Sequence, residues 1–277
     1  MFYFLTIAVF LFGLIVGSFL NCIIYRLELK EFKKEKRSAL RGRSFCPKCG
    51  HVLSWLDLIP VLSFFILKRK CRYCDKKISW QYPAVETATA LLFLLIFNFQ
   101  FSIFNQSSIL NFDFQIILNT CFLFLISSFL IVIFVFDLKH YIIPDSAIFS
   151  AIGIVLIFRI LKLIQSSEFR IQNSILAGIG AAVFFLLIVL ITKGKGMGIG
   201  DIKLAFFMGL FLGYPAILVA LFFSFLIGAI IGVILILLKK KTLKSEVPFG
   251  PFLIIGTYSA LFWSQEIINW YLKLFKL

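Results

Sequence analysis

Long apolar runs separated by short polar loops dominate this chain. Runs near 3–25, 83–99, 116–136, 146–164, 173–192, 202–213, 215–238 and 251–270 carry very little charge. Several stretches exceed the roughly 18 apolar residues that cross a bilayer core as a helix. They predict an all-α polytopic membrane protein with about eight transmembrane helices. The stretch 204–238 is 35 residues long, too long for one span and short for two. Gly213-Tyr214-Pro215 is a turn signal, and the run divides there. The sixth span is then only about twelve residues, or roughly 18 Å.

The pattern divides the chain into a first transmembrane helix (1–25), a polar segment (26–82) and a transmembrane remainder (83–277). Residues 1–25 lack a basic start and an Ala-x-Ala cleavage pattern, so they read as a retained span rather than a signal peptide. Composition agrees: 61% of residues are hydrophobic and 36 are Phe, well above the apolar share of soluble domains. The net charge of +15 could suggest nucleic acid. Most of that charge sits in loops beside spans, however, and no nucleic-acid-reading motif accompanies it. Segment 26–82 carries fifteen Lys/Arg against five Asp/Glu. With eight spans, 26–82 and the loops 137–145, 193–203 and 239–250 fall on one side, which the positive-inside rule makes cytoplasmic. Both termini then lie outside. The basic stretch 30–43 reads as solvated or lipid-facing.

Segment 26–82 contains Cys46-x2-Cys49 and Cys71-x2-Cys74, twenty-one residues apart. Two such knuckles can place four thiolates tetrahedrally around zinc, with Gly50 suited to a tight turn. Two disulfides are the competing reading, disfavoured in a reducing cytoplasm. Four Cys ligands close the coordination shell, so the metal would be structural and would stabilise a loop too small to build much core. Cys22 and Cys121 lie in spans and read as packing residues.

Two acids stand out. Asp137 ends the third span, where the helix dipole disfavours a carboxylate. Asp201 follows Gly194-Lys195-Gly196-Met197-Gly198-Ile199-Gly200. Those glycines permit close backbone approach, but the spacing is not that of a phosphate-binding loop. Alone, Asp137 could be an ordinary loop acid and Asp201 a helix cap. Ionisable residues at membrane depth are functional candidates, though, and these two share a depth at the cytoplasmic ends of spans. Two neighbouring carboxylates cannot both ionise easily. The ionised one can take a proton from water while the protonated one donates to a substrate carbonyl. Asp145, after Pro144, reads as a helix cap.

Several spaced motifs then resemble the bacterial type IV prepilin peptidases, membrane aspartyl proteases of the Gly-x-Gly-Asp class. They are Gly17-Ser18-Phe19-Leu20-Asn21 with Tyr25-Arg26, the Phe45–His51 knuckle, Trp55, Asp57-Leu58-Ile59-Pro60, Tyr82-Pro83-Ala84-Val85-Glu86, Gly198-Ile199-Gly200-Asp201 and Pro248-Phe249-Gly250-Pro251. The resemblance implies that Asp137 and Asp201 are the catalytic pair. It also implies prepilin or pseudopilin precursors as substrates, cut to remove a short basic leader at the cytoplasmic face of the bacterial inner membrane. Many such enzymes also methylate the new N-terminus with S-adenosylmethionine, and the cysteine loop belongs to those bifunctional members. No dinucleotide-type glycine fingerprint marks a site for that methyl donor. Glu86, at the start of the second span, is the candidate cofactor-binding carboxylate. It could equally offset the local Lys/Arg excess or complement a helix N-terminus.

Two other function classes compete. An ion- or proton-coupled transporter would use the paired aspartates, but it leaves the cysteine loop unexplained and no inverted repeat is visible. A membrane assembly factor would use the cysteine loop for docking.

Overall fold

The computed structural model describes residues 2–33, 42–104, 114–165, 171–194, 197–240, 242 and 247–274. Most of the basic stretch 30–43, and parts of the loops around 110, 168, 195 and 244, lie outside the described residues. In chain order the helices are α1 (Phe2–Lys33), α2 (Leu62–Ile66), α3 (Gln81–Phe104), α4 (Phe114–His140), α5 (Asp145–Gln165), α6 (Ile171–Thr192), α7 (Ile199–Leu212), α8 (Ala216–Leu237) and α9 (Gly250–Leu274). A 3-10 turn covers Trp55–Leu58. The described residues include no β-strand, only two isolated antiparallel bridges. The chain divides into two compact units, Met1–Val132 and Ile133–Leu277.

In the first unit α1 packs along α3. Contact is close because Gly17 has no side chain: a Cβ there would lie 2.6 Å from the Glu86 Cα. Small residues at membrane helix interfaces allow this approach. Phe12, Phe93 and Phe124 fill the adjoining space, the latter two stacked with centroids 4.1 Å apart. Helix α1 runs to Lys33, eight residues beyond the end expected at 25. Leu27 and Leu29 stay buried there, and the intervening Glu and Lys residues favour helix. Buried Arg26 ties the helix to the loop by donating to the carbonyls of Gly42 (2.8 Å) and Arg43 (3.2 Å).

In the second unit α7 is the central helix, touched by α5, α6, α8 and α9. Eight of its fourteen residues are buried. Gly209 lets it lie against the backbone of α6, where a Cβ would collide with Ala177. The turn expected at Gly213-Tyr214-Pro215 separates α7 from α8. Gly213, at φ 75°, closes α7 by donating to the Gly209 carbonyl at 2.8 Å. The open carbonyl end of α7 also meets Arg159 of α5, whose guanidinium donates to the Phe211 carbonyl at 2.5 Å.

The described residues do not confirm the expected count of eight spans. Six helices among the described residues are long and apolar enough to cross a membrane: α1, α3, α4, α5, α6 and α8. Helix α7 is too short, at about 21 Å. Helix α9 is long enough, but Gln265 and Glu266 interrupt its apolar run. The protein is thus a multi-pass membrane protein in which the short helix α7 is largely buried among its neighbours.

Candidate active site and metal-binding loop

Asp137 sits in the last turn of α4 and Asp201 in the first turn of α7. Both are buried, at 4% and 8% exposure. They line one cavity of about 410 Å³ with Tyr141, Ile143, Asp145, Lys203 and the Val247–Phe249 segment. The two carboxylates are close enough to interact electrostatically. Helix chemistry places each. Asp201 is the third residue of α7, and its Oδ2 accepts the Gly198 N–H at 3.0 Å, the reach-back of a capping acid. The cap reading therefore holds for one oxygen, while the side chain also faces the cavity. Asp137 Oδ2 accepts the Gly250 N–H at 3.0 Å. A Cβ on Gly250 would stand 2.5 Å from that oxygen, so only glycine brings its amide this near. No local pattern links Gly250 with Asp137, 113 residues earlier. The nearest signal was the Pro-Phe-Gly-Pro segment itself, which opens a helix at a glycine.

Asp145 departs from its expected role. The Pro144 carbonyl accepts the N–H groups of Ala147 (3.0 Å) and Ile148 (3.2 Å), so Pro144 holds the cap position. Asp145 is the first helical residue, where a negative charge suits the dipole. Its Oδ1 accepts from Lys203 Nζ at 2.6 Å, and the same ammonium lies 5.3 Å from the Phe149 ring. Sequence reading missed Lys203, although it follows Asp201 by two residues.

The cysteine loop folds as two matching knuckles. Bridges Phe45–Val52 and Lys70–Lys77 bracket them. In each, the first Cys amide donates across the turn, Cys46 to His51 (2.9 Å) and Cys71 to Lys76 (3.0 Å). The turn residues Gly50 and Asp75 both have positive φ, 73° and 53°. The four sulfurs of Cys46, Cys49, Cys71 and Cys74 lie within 4.8 Å of one another. A tetrahedral zinc with about 2.3 Å bonds needs sulfurs about 3.8 Å apart, so the donor set fits. All six cysteines are free thiols. Burial works against ionisation of Cys46. The amides of Cys49 and Lys48 and the thiols of Cys49 and Cys71 outweigh it and bring Cys46 down to about 7.

Asp57 locks the second knuckle. It accepts the Ser54 amide (3.1 Å) and hydroxyl (2.8 Å), Arg72 Nε (2.8 Å) and the Tyr73 hydroxyl (3.2 Å). Burial opposes its ionisation, but these donors hold its carboxyl below the usual carboxylate range.

Glu86, the candidate cofactor carboxylate, is turned toward its own chain. It is 6% exposed, Oε2 accepts the Val61 N–H at 2.7 Å, and Ser18 hydrogen-bonds it as well.

Comparison with known proteins divides the chain in a similar way. The bacterial peptidase A24 N-terminal domain matches residues 11–99, and the type IV leader peptidase family matches residues 124–233. A prepilin leader peptidase/N-methyltransferase of Legionella pneumophila is 33% identical over 287 residues, covering 98% of this chain and 95% of the relative. The chain belongs to the type IV leader peptidase family. Relatives with the same description in Bacillus subtilis (strain 168) and Pseudomonas aeruginosa are 31% and 30% identical. They cover 96% and 95% of this chain and 97% and 92% of their own lengths. No solved structure matches. None of these relatives supports the transporter reading.

Proposed function

We propose that this family member removes the leader of prepilin-like precursors at the cytoplasmic face of the bacterial inner membrane and methylates the new N-terminus. The observation that carries the peptidase half is the pair of buried aspartates on one cavity, each held by a glycine amide.

The chemistry follows from two carboxyls sharing one proton. The ionised carboxylate takes a proton from a water in the cavity as that water's oxygen bonds to the scissile carbonyl carbon. The protonated partner gives its proton to the carbonyl oxygen. Collapse of the tetrahedral intermediate returns a proton to the leaving amine and breaks the C–N bond. The Gly198 and Gly250 amides each occupy one carboxylate oxygen, leaving the other to face water or substrate. The fixed acids thus act by proton transfer, a contribution of about 10²–10⁴-fold for a positioned group.

The four-cysteine cluster serves as a structural zinc site in this reading. With all four positions filled by thiolates, it holds no water for chemistry. For the methylating half, the names of the relatives support the activity, and S-adenosylmethionine is the donor to test.

The deciding experiment uses the purified full chain in detergent with a prepilin substrate and mass spectrometry of the product N-terminus. One spectrum reports both the cleavage position and any added methyl. Asp137→Asn and Asp201→Asn should each abolish cleavage. Normal cleavage by either variant would overturn the dyad. Cys49→Ser should lower bound metal, and an unchanged metal content would remove the zinc assignment.

A further inference from the structure

Helix α2 and its flanks hold an unusual set of exposed side chains. Leu62, Phe65 and Ile66 are 60%, 60% and 71% exposed. Lys68, Arg69 and Lys70 follow after Leu67. Two contacts fix where this segment lies. Glu86 is five residues into α3, about 7–8 Å along the membrane-spanning helix Gln81–Ser102. Its carboxylate holds the amide of Val61, the residue that precedes α2. Val61 makes this possible by turning sharply, at φ 60°. The second contact is the ring of buried Phe64, 5.0 Å from Trp80, the residue immediately before that span.

These contacts lay α2 beside the first turns of a helix long and apolar enough to span a membrane, where a bilayer boundary would fall. In water, three adjacent large apolar side chains would be costly to expose. At this depth they have a natural solvent. Trp80 is itself 55% exposed, as befits the aromatic belt at a membrane boundary. The Arg69 guanidinium lies 5.4 Å from its ring, which marks the level where charge begins. Lys68 and Lys70 are exposed beside it.

We propose that Leu62–Lys70 is an interfacial membrane anchor. Leu62, Phe65 and Ile66 enter the acyl boundary of the leaflet, and Lys68 and Lys70 contact anionic lipid phosphates. Short amphipathic segments of this type bury their apolar face some 5–10 Å into that boundary. Chain continuity with the α3 span and charge complementarity favour lipid over a protein partner. The anchor would moor the second cysteine knuckle, which begins at Cys71, to the bilayer surface.

The test uses the full chain in lipid nanodiscs. Trp55, Trp80, Trp263 and Trp270 are changed to Phe, and Ile66→Trp supplies one reporter. Leu91→Trp, in the α3 span, supplies a lipid-facing control. Discs contain phosphatidylglycerol and phosphatidylcholine, with or without bromine on the acyl chains. Emission from the Ile66→Trp variant should be blue-shifted and quenched about two-fold or more by brominated lipid, as for the control. Quenching by aqueous acrylamide instead would overturn the anchor. Resistance to both quenchers would overturn it in favour of a protein partner, such as a second copy. Leu62→Trp provides the same readout if Ile66→Trp fails to elute as a monodisperse helical protein. In the lipid-charge arm, replacing phosphatidylglycerol with phosphatidylcholine should weaken quenching. The K68E/K70E double variant should lose that dependence, and an unchanged dependence would overturn the phosphate contact.

Discussion

The dyad cavity and the cysteine loop both contain buried carboxylates, and they treat them in opposite ways. In the loop Asp57 is saturated, with four donors from Ser54, Arg72 and Tyr73. In the cavity Asp137 and Asp201 each accept one backbone N–H among the described residues. A buried charge that is fully paired contributes to structure. One left partly unpaired, next to another of its sign, is held ready to exchange a proton. The number of donors around an acid therefore separates its roles better than its burial does.

The sharpest test of that contrast is removal of the reactive acids. Asp137→Asn and Asp201→Asn should each lower the rate of leader cleavage by about 10²–10⁴-fold or more, measured by single-turnover kinetics. The fold should be retained, because the amide still accepts the glycine N–H. A smaller loss comes from displacing one acid. Gly250→Ala puts a methyl 2.5 Å from Asp137 Oδ2. Misplacement on the order of 1 Å costs about 10²-fold, so cleavage should fall by about that factor while thermal unfolding changes little.

Asp57 should show the reverse. Asp57→Asn should leave the dyad untouched but destabilise the knuckle by about 1–3 kcal/mol, seen as faster amide exchange across residues 54–74. Its carboxyl is held below the usual range, so the stability it adds is fully present above its unfolded pKa, near 4. That contribution is lost as pH falls through the lower folded value. The exchange difference between native and Asp57→Asn chains should therefore shrink in acid; a constant difference would remove the charge from the explanation. The smallest effect belongs to Asp145. Its bond to Lys203 is short, but the carboxylate is 63% exposed. Exposed pairs contribute about 0–1 kcal/mol, so Asp145→Ala should keep most cleavage activity. A loss as large as that of Asp201→Asn would place Asp145 in the chemistry.

Much of this was legible in the sequence because it is local. Apolar runs located the helices, and Gly213-Tyr214-Pro215 marked the break between α7 and α8. Cys-x2-Cys spacing announced the knuckles, and two acids in apolar surroundings announced themselves by their cost. Contacts spanning long sequence separations were hidden. Nothing near Gly250 points to Asp137, and nothing near Val61 points to Glu86. The Val61 amide that Glu86 accepts lies twenty-five residues away and leaves no mark in composition. Asp145 was read as a cap because an acid after Pro144 satisfies that pattern. The competing partner, Lys203, comes from another helix. The number of spans was the least legible feature, because hydropathy cannot tell lipid from protein as the surrounding medium.

That distinction bears on α7. Helices α5, α6 and α8 have only 22%, 17% and 17% of their apolar windows buried, so lipid covers most of them. When a bilayer thickens or thins, such helices respond by tilting or by deforming the lipid around them. Helix α7 has eight of its fourteen residues buried, and its C-terminal carbonyl at Phe211 meets the Arg159 guanidinium. It has no hydrophobic length to match. The position of Asp201 is thus set by protein neighbours and should depend less on bilayer thickness than the lipid-facing helices do.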